Sequence, residues 1–110
     1  MGKFVISRRT NGEYQFNLVA GNGQIILSSE GYTSIVGCQN GIESVRKNSK
    51  DSSKFDRKTS VNGKHYFNLK ATNGQIIGSS QIYESMASRE NGIYSVQANA
   101  ADALIENLNT

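Results

Sequence analysis

The chain has no proline, no tryptophan, one histidine and one cysteine in 110 residues. A lone cysteine excludes an internal disulfide framework and any cysteine-built metal cluster. No apolar run approaches the roughly 18 residues that mark a membrane helix, and the opening Met-Gly-Lys-Phe-Val-Ile-Ser carries no signal-type apolar stretch. The Met-Gly start does not fit myristoylation, because Ile6 stands where Ser or Thr is required. EF-hand, HExxH and CxxC patterns are missing, so no metal is expected. Gly21-Asn22-Gly23 lacks the third glycine of a dinucleotide loop and runs into a strand pattern, so no cofactor is expected either. These absences predict a cytoplasmic protein with no membrane partner.

Repetition is what the chain does have. Asn22–Ile26 reads NGQII, and so does Asn73–Ile77, 51 positions later. At that offset Asn11–Ser49 aligns with Asn62–Ala100, and 21 of the 39 pairs are identical. Lys3-Phe4 also falls opposite Lys54-Phe55. A period of this length marks a duplicated structural unit. The expected organisation is a single domain, residues 1–110, made of repeats at about 1–52 and 53–110.

Each repeat carries the same local signals. Phe4–Ser7 is a short apolar run followed by the turn dipeptide Asn11-Gly12. Tyr14, Phe16 and Leu18 alternate with Gln15, Asn17 and Val19, the two-residue period of a strand. Asn22-Gly23 then signals a tight hairpin of the type that needs positive φ at both turn residues. Ile25–Ser29 is the return strand. Phe55–Thr59, His65–Lys70 and Ile76–Ser80 repeat this plan. Ile35, Cys38, Ile42 and Val45 then recur at helical spacing, with Ser34 as a plausible N-cap. The matching stripe after Ser85 is Met86, Arg89, Ile93 and Val96. Both helices contain an interior Asn-Gly, Asn40-Gly41 and Asn91-Gly92. Such a glycine costs about 0.5–1 kcal/mol relative to alanine, so matched copies predict a close approach that a Cβ would obstruct. A unit of this size buries too little surface to be secure alone. Two β-β-β-α units sharing one core about a pseudo-twofold axis are therefore expected, in one antiparallel sheet with two helices packed on it.

The stretches AGNGQIILSSEGYTS, CQNGIESVRKN, YFNLKATNGQIIGSS and RENGIYSV resemble the YegP-like family of small bacterial proteins, a domain of unknown function, over nearly the whole chain. The resemblance implies tandem β-β-β-α-β units in one continuous sheet with exchanged C-terminal strands. It implies no activity, substrate or catalytic residue. The tail ALIENL, at Ala103–Leu108, is poor strand material for that exchange.

Residues with chemistry are few. His65 stands where the first repeat has Tyr14, on a strand face shared with Phe67 and Leu69, and reads as a core or edge residue. Cys38 lies on the buried stripe of the first helix, which argues for an inert thiol. Its counterpart Arg89 sits on an otherwise apolar face and needs a partner. It either reaches the sheet edge or lines an anion pocket, with the adjacent Glu90 facing away. Asn17 and Asn68 sit mid-strand in both repeats, although asparagine is depleted in strands. They mark a binding face or a solvent-exposed sheet surface. Ser28-Ser29 and Ser79-Ser80 suggest backbone capping at strand ends. Arg46, Lys47, Lys50, Lys54, Arg57 and Lys58, against Asp51 and Asp56, form a basic stretch that suits either a solvated helix end or a polyanion.

These observations favour a monomeric, non-enzymatic binding or interaction module. Asn17, Asn68, Tyr66 and Lys70 on the open sheet face would meet a protein or other partner. The first alternative is a nucleic-acid or polyanion binder using the 46–58 stretch. The second is an enzyme with a site near Arg89, Cys38 or His65.

Overall fold

In the computed structural model, which describes residues 2–108, alternating stretches form strands and the three-and-four-spaced stretches form helices. The first half is β1 (Lys3–Arg8), β2 (Tyr14–Val19), β3 (Ile25–Ser28) and α1 (Ile35–Asn48). The second is β4 (Phe55–Thr59), β5 (His65–Lys70), β6 (Ile76–Ser79) and α2 (Met86–Ala100), followed by β7 (Leu104–Asn107). A 3-10 turn at Ser52–Lys54 leads from α1 into β4. Ser34 and Ser85 cap the helices, accepting from the Gly37 and Ser88 backbone N–H groups.

The hairpins differ in detail from the sequence expectation. Only the glycine of each Asn-Gly pair takes positive φ, 86° at Gly23 and 84° at Gly74. Gly23 N–H donates to Ala20 O at 2.9 Å and Ala20 N–H to Gln24 O at 2.8 Å. That is a turn followed by a left-handed glycine bulge, rather than a two-residue loop. The Asn22 side chain instead accepts from Gln24 N–H at 3.0 Å, so it braces the turn without adopting strained backbone.

The strands form one seven-stranded sheet in the order β4-β5-β6-β3-β2-β1-β7. The halves meet antiparallel at β3 and β6 through the Ser28–Ser79 pair. The strand from the second half docks on β1 of the first, which is the C-terminal exchange that the family resemblance implies. It runs parallel to β1, with Lys3 opposite Leu104, so the sheet is mixed rather than wholly antiparallel. The cause is the direction of α2, which returns the chain to the start of β1, where Leu104 N–H donates to Gly2 O. The weak strand character of ALIENL shows in Leu104 and Ile105, which remain largely exposed. Backbone pairing, not side-chain burial, holds β7 in place.

Both helices lie on one face of the sheet, and each touches strands of both halves. The core beneath them is built twice. Phe4 meets Phe16 edge-on at 5.7 Å, and Phe16 stacks on Tyr32 at 6.2 Å. Phe55, Phe67 and Tyr83 repeat this at 5.5 and 6.4 Å. The close approach at the helix glycines comes from these tyrosines rather than from sheet backbone. A Cβ at Gly41 would overlap the Tyr32 hydroxyl and lie 2.7 Å from its Cζ, and Gly92 stands in the same relation to Tyr83. On the second helix the stripe begins later than its spacing predicts. Met86 is exposed, unlike its counterpart Ile35, which packs against the core, while Arg89, Ile93 and Val96 are buried.

Near the pseudo-twofold axis the duplication becomes unequal. Leu27 and Gly78 are counterparts, and a Cβ at Gly78 would lie 2.7 Å from Leu27 Cγ and Cδ2. One leucine fills space that symmetry would otherwise give to two.

Candidate functional site

Most of the residues with reactive or charged side chains are engaged in structure. Cys38 is fully buried, and that burial pushes its thiol pKa up. His65 sits in the β5–Tyr83 bridge with its Nδ1 3.5 Å from Thr59 Oγ1. Arg89 reaches the sheet edge, donating from Nη1 to Lys58 O at 3.3 Å and from Nε to Glu90 Oε2 at 3.3 Å. Glu90 is thus a partner after all, because the long guanidinium bends back along its own helix. Arg57 donates to the same carboxylate from Nε at 2.9 Å and from Nη2 at 3.0 Å. The Arg57 hydrogen bonds, with Arg89 contributing, hold the Glu90 carboxyl below its ordinary pKa.

The basic stretch does not converge on one surface. Arg46 spans to Ala103 O, pairs with Glu43 and lies over the Phe4 ring at 5.4 Å. Arg57 is taken by Glu90. Lys58 pairs with Asp56 at 3.3 Å, and Lys70 reaches the same carboxylate at 3.2 Å. Those contacts, the Lys70 hydrogen bond foremost, lower the Asp56 pKa. Lys47 and Lys50 remain exposed toward the end of α1, while Lys54 is half-buried in the 3-10 turn.

Asn17 and Asn68 fall in one polar row across the face of the sheet opposite the helices, running Asp56–Asn68–Ser79–Ser28–Asn17. Asn68 accepts from Ser79 Oγ at 2.8 Å. Asn17 Oδ1 is buried and has no hydrogen-bond partner among the described residues. Ser29 and Ser80 work as the expected backbone caps, accepting from Phe16 and Phe67 N–H, each at 2.9 Å.

The concave features lie on the other face, beside the helices. One recess of about 400 Å³ is lined by Glu30, Tyr32, Gly37, Asn40, Gly41 and Ser44 with Gln75 and Ile77, and also by Gly31, Ala71, Asn73 and Ile76. Another, of about 350 Å³, is formed by Gln81, Tyr83, Ser88, Asn91, Gly92 and Ser95 together with Gln24 and Ile26. Every residue of the second recess has its repeat counterpart in the first, which is lined by four more. Six of the eight positions carry the same residue in both: Gln24/Gln75, Ile26/Ile77, Tyr32/Tyr83, Asn40/Asn91, Gly41/Gly92 and Ser44/Ser95. Each recess takes its helix from one half and its hairpin from the other, so neither half alone contains a complete one. A further recess of about 420 Å³, with Lys47 on its wall, adjoins the α1 recess and shares Asn40, Ser44, Ala71 and Asn73 with it.

Local structure positions these side chains. The bulge between β2 and β3, repeated between β5 and β6, buries both Ile26 and Leu27 in the first half. Gln24 and Gln75 stand where the hairpins rejoin the sheet. Asn40 and Asn91 stand on the helices beside the glycine that receives the tyrosine. Burial, reinforced by Cys38 and Glu30, raises the Tyr32 pKa, so its hydroxyl stays neutral. The repeated NGQII therefore has three uses: Asn-Gly closes the turn, Gln borders a recess, and the second Ile walls it. Attention to repeated polar residues in strands leads to Asn17 and Asn68 and passes over Gln24, Gln75, Asn40 and Asn91. Their signal is identity across the duplication of exposed side chains with no core role, the turn bonds of Gln24 and Gln75 being made by backbone alone. Among the described residues no cluster suited to a metal ion occurs, and no helix is long and apolar enough to cross a membrane.

Comparison with known proteins agrees with this architecture. A family described as a domain of unknown function, DUF1508, matches the chain twice, at residues 10–56 and 60–107. The UPF0339 protein YegP of Escherichia coli K12 is 50% identical over 105 residues, covering 96% of each chain. The solution NMR structure of E. coli YegP, a protein of unknown function, superposes with a TM-score of 0.93 at 48% identity, over 97% of this chain and 92% of that one. A UPF0339 protein from Shewanella oneidensis superposes at 0.92 and 48% identity, over 97% and 91%. With its two matched repeats and its likeness to YegP in sequence and fold, the chain belongs to the YegP-like DUF1508 family, whose function is uncharacterised.

Proposed function

We propose that this protein is a non-enzymatic binding module of the cytoplasm that acts as a monomer and binds through its twin composite recesses. The observation that carries the reading is the identity of six of the eight counterpart positions that line them. The tyrosine–glycine contacts and the buried isoleucines account for three of those pairs by packing. Ser44 and Ser95 accept from Asn48 and Asn99 at 3.1 and 3.3 Å. The Gln and Asn pairs have no such employment. The duplication supplies internally the contact that two separate copies would otherwise make, which favours a monomer. A buried single thiol suits a reducing compartment. The polyanion alternative has less support, because Arg46, Arg57 and Lys58 are already occupied within the fold.

A screen of small polar compounds against the 15N-labelled chain tests the reading. Shifts concentrated at Gln24, Asn91, Gln75 and Asn40 are the expected result. Shifts confined to Tyr66, Asn68 and Lys70 would move the binding surface to the open sheet face and overturn it.

A further inference from the structure

Four side-chain amides at counterpart positions are common to the two recesses, beside Gln81 in one and Asn73 in the other. Gln24 and Asn91 border one, and Gln75 and Asn40 border the other. None of the four makes a side-chain hydrogen bond to any described residue. All are exposed, and the two asparagines occupy helix interiors, where asparagine is disfavoured relative to alanine by up to about 0.7 kcal/mol. An amide offers two donors and one acceptor on a rigid plane. Its natural complement is a group that also donates and accepts, above all a pair of neighbouring hydroxyls. The Ser44 and Ser95 hydroxyls and the Tyr32 and Tyr83 side chains add to the same set.

Charge narrows the choice. No Lys or Arg lines either recess; Lys47 and Arg9 stand only near the α1 recess, so the two sites share no cation that would neutralise phosphate or carboxylate. Glu30 is the one charged wall residue of the α1 recess, and its counterpart in the other is the neutral Gln81. The chemistry common to both sites is therefore neutral. Ile26 and Ile77, at 3% and 7% exposure, close the floor of the recesses with apolar surface. Volumes of about 350 and 400 Å³ stand at the lower end of small-molecule sites and match a mono- or disaccharide.

We infer that each recess takes a neutral, polyhydroxylated ligand of the saccharide class, held between the Gln amide of one repeat and the Asn amide of the other; this assignment rests on the recesses being binding sites. The test uses the full 15N-labelled chain and follows the side-chain NH₂ signals of the four amides. The probes are glucose, N-acetylglucosamine, a neutral N-acetylated dipeptide amide and inorganic phosphate, each raised to about 50 mM to reach weak affinities.

Both amide pairs should move with at least one sugar and remain still with phosphate and dipeptide. Asn91→Ala should weaken the response of Gln24 by about tenfold or more and leave Gln75 unchanged, while Asn40→Ala should do the reverse. Both asparagines are exposed, so unchanged backbone dispersion will show that each variant is folded. Movement with dipeptide or phosphate but not sugar overturns the ligand class and leaves the recesses as binding sites. Silence of all four amides toward every probe overturns both.

Discussion

Exchanging Leu27 and Gly78 tests the shared core where the two repeats meet. Leu27 is 1% exposed, so Leu27→Gly removes a fully buried side chain. Cavity formation costs about 3–5 kcal/mol for such a truncation, and a glycine within a strand adds about 0.5–1 kcal/mol. Gly78→Leu fails for the opposite reason. Even its first carbon would stand 2.7 Å from Leu27 Cγ and Cδ2, and overpacking of this kind costs about 1–3 kcal/mol. Independent effects would sum to about 6 kcal/mol, enough to unfold a domain whose whole stability is of order 5–15 kcal/mol. The exchange Leu27→Gly with Gly78→Leu should behave otherwise. The new leucine enters space that the old one has left, near an axis flanked by matched neighbours such as Phe16/Phe67 and Leu18/Leu69. We expect the double variant to lie within about 2 kcal/mol of the parent, a coupling of roughly 4 kcal/mol. Urea unfolding followed by far-ultraviolet circular dichroism measures this without a tryptophan probe. A double variant as unstable as the summed singles would refute the view that one leucine serves two equivalent positions.

Other outcomes follow from the same contacts. Cys38 should resist alkylation in the native protein and react at once in denaturant, since burial both hides the thiol and raises its pKa; rapid native labelling would contradict the packing of α1. Glu90 has its folded pKa below the ordinary 4.5, so its stabilisation is complete above that value and fades as pH falls through the lower folded pKa. Glu90→Gln should flatten that acid limb and cost about 1 kcal/mol or less in a pair whose side chains are 34% and 38% exposed, as urea midpoints across pH would register. Binding to generic DNA should be weak, with a log–log salt slope no steeper than about −3, because among the described residues of the 46–58 stretch only the side chains of Lys47, Lys50 and the half-buried Lys54 stand clear of internal hydrogen bonds and ion pairs; a slope near −6 would restore the polyanion reading. Heating should give one cooperative transition by both calorimetry and circular dichroism, whereas two separated transitions would mean that the repeats do not share a core.

What the sequence determined by itself was local and periodic. Two-residue alternation specified the faces of β2 and β5, Ser34 and Ser85 fixed where the helices begin, and Asn-Gly placed every hairpin. The offset of 51 residues made the duplication visible without coordinates. These features depend on contacts within a few residues or on comparing the chain with itself. Tertiary structure decided whatever depends on which surfaces meet. It aimed Tyr32 and Tyr83 at the helix glycines, turned β7 parallel to β1, and joined Glu90 to both Arg89 and Arg57. It also paired the hairpin of each repeat with the helix of the other, setting Gln24 and Asn91 on one recess and Gln75 and Asn40 on the other. Spacing along the chain does not encode those meetings, since they arise from how one half turns about the axis onto its copy.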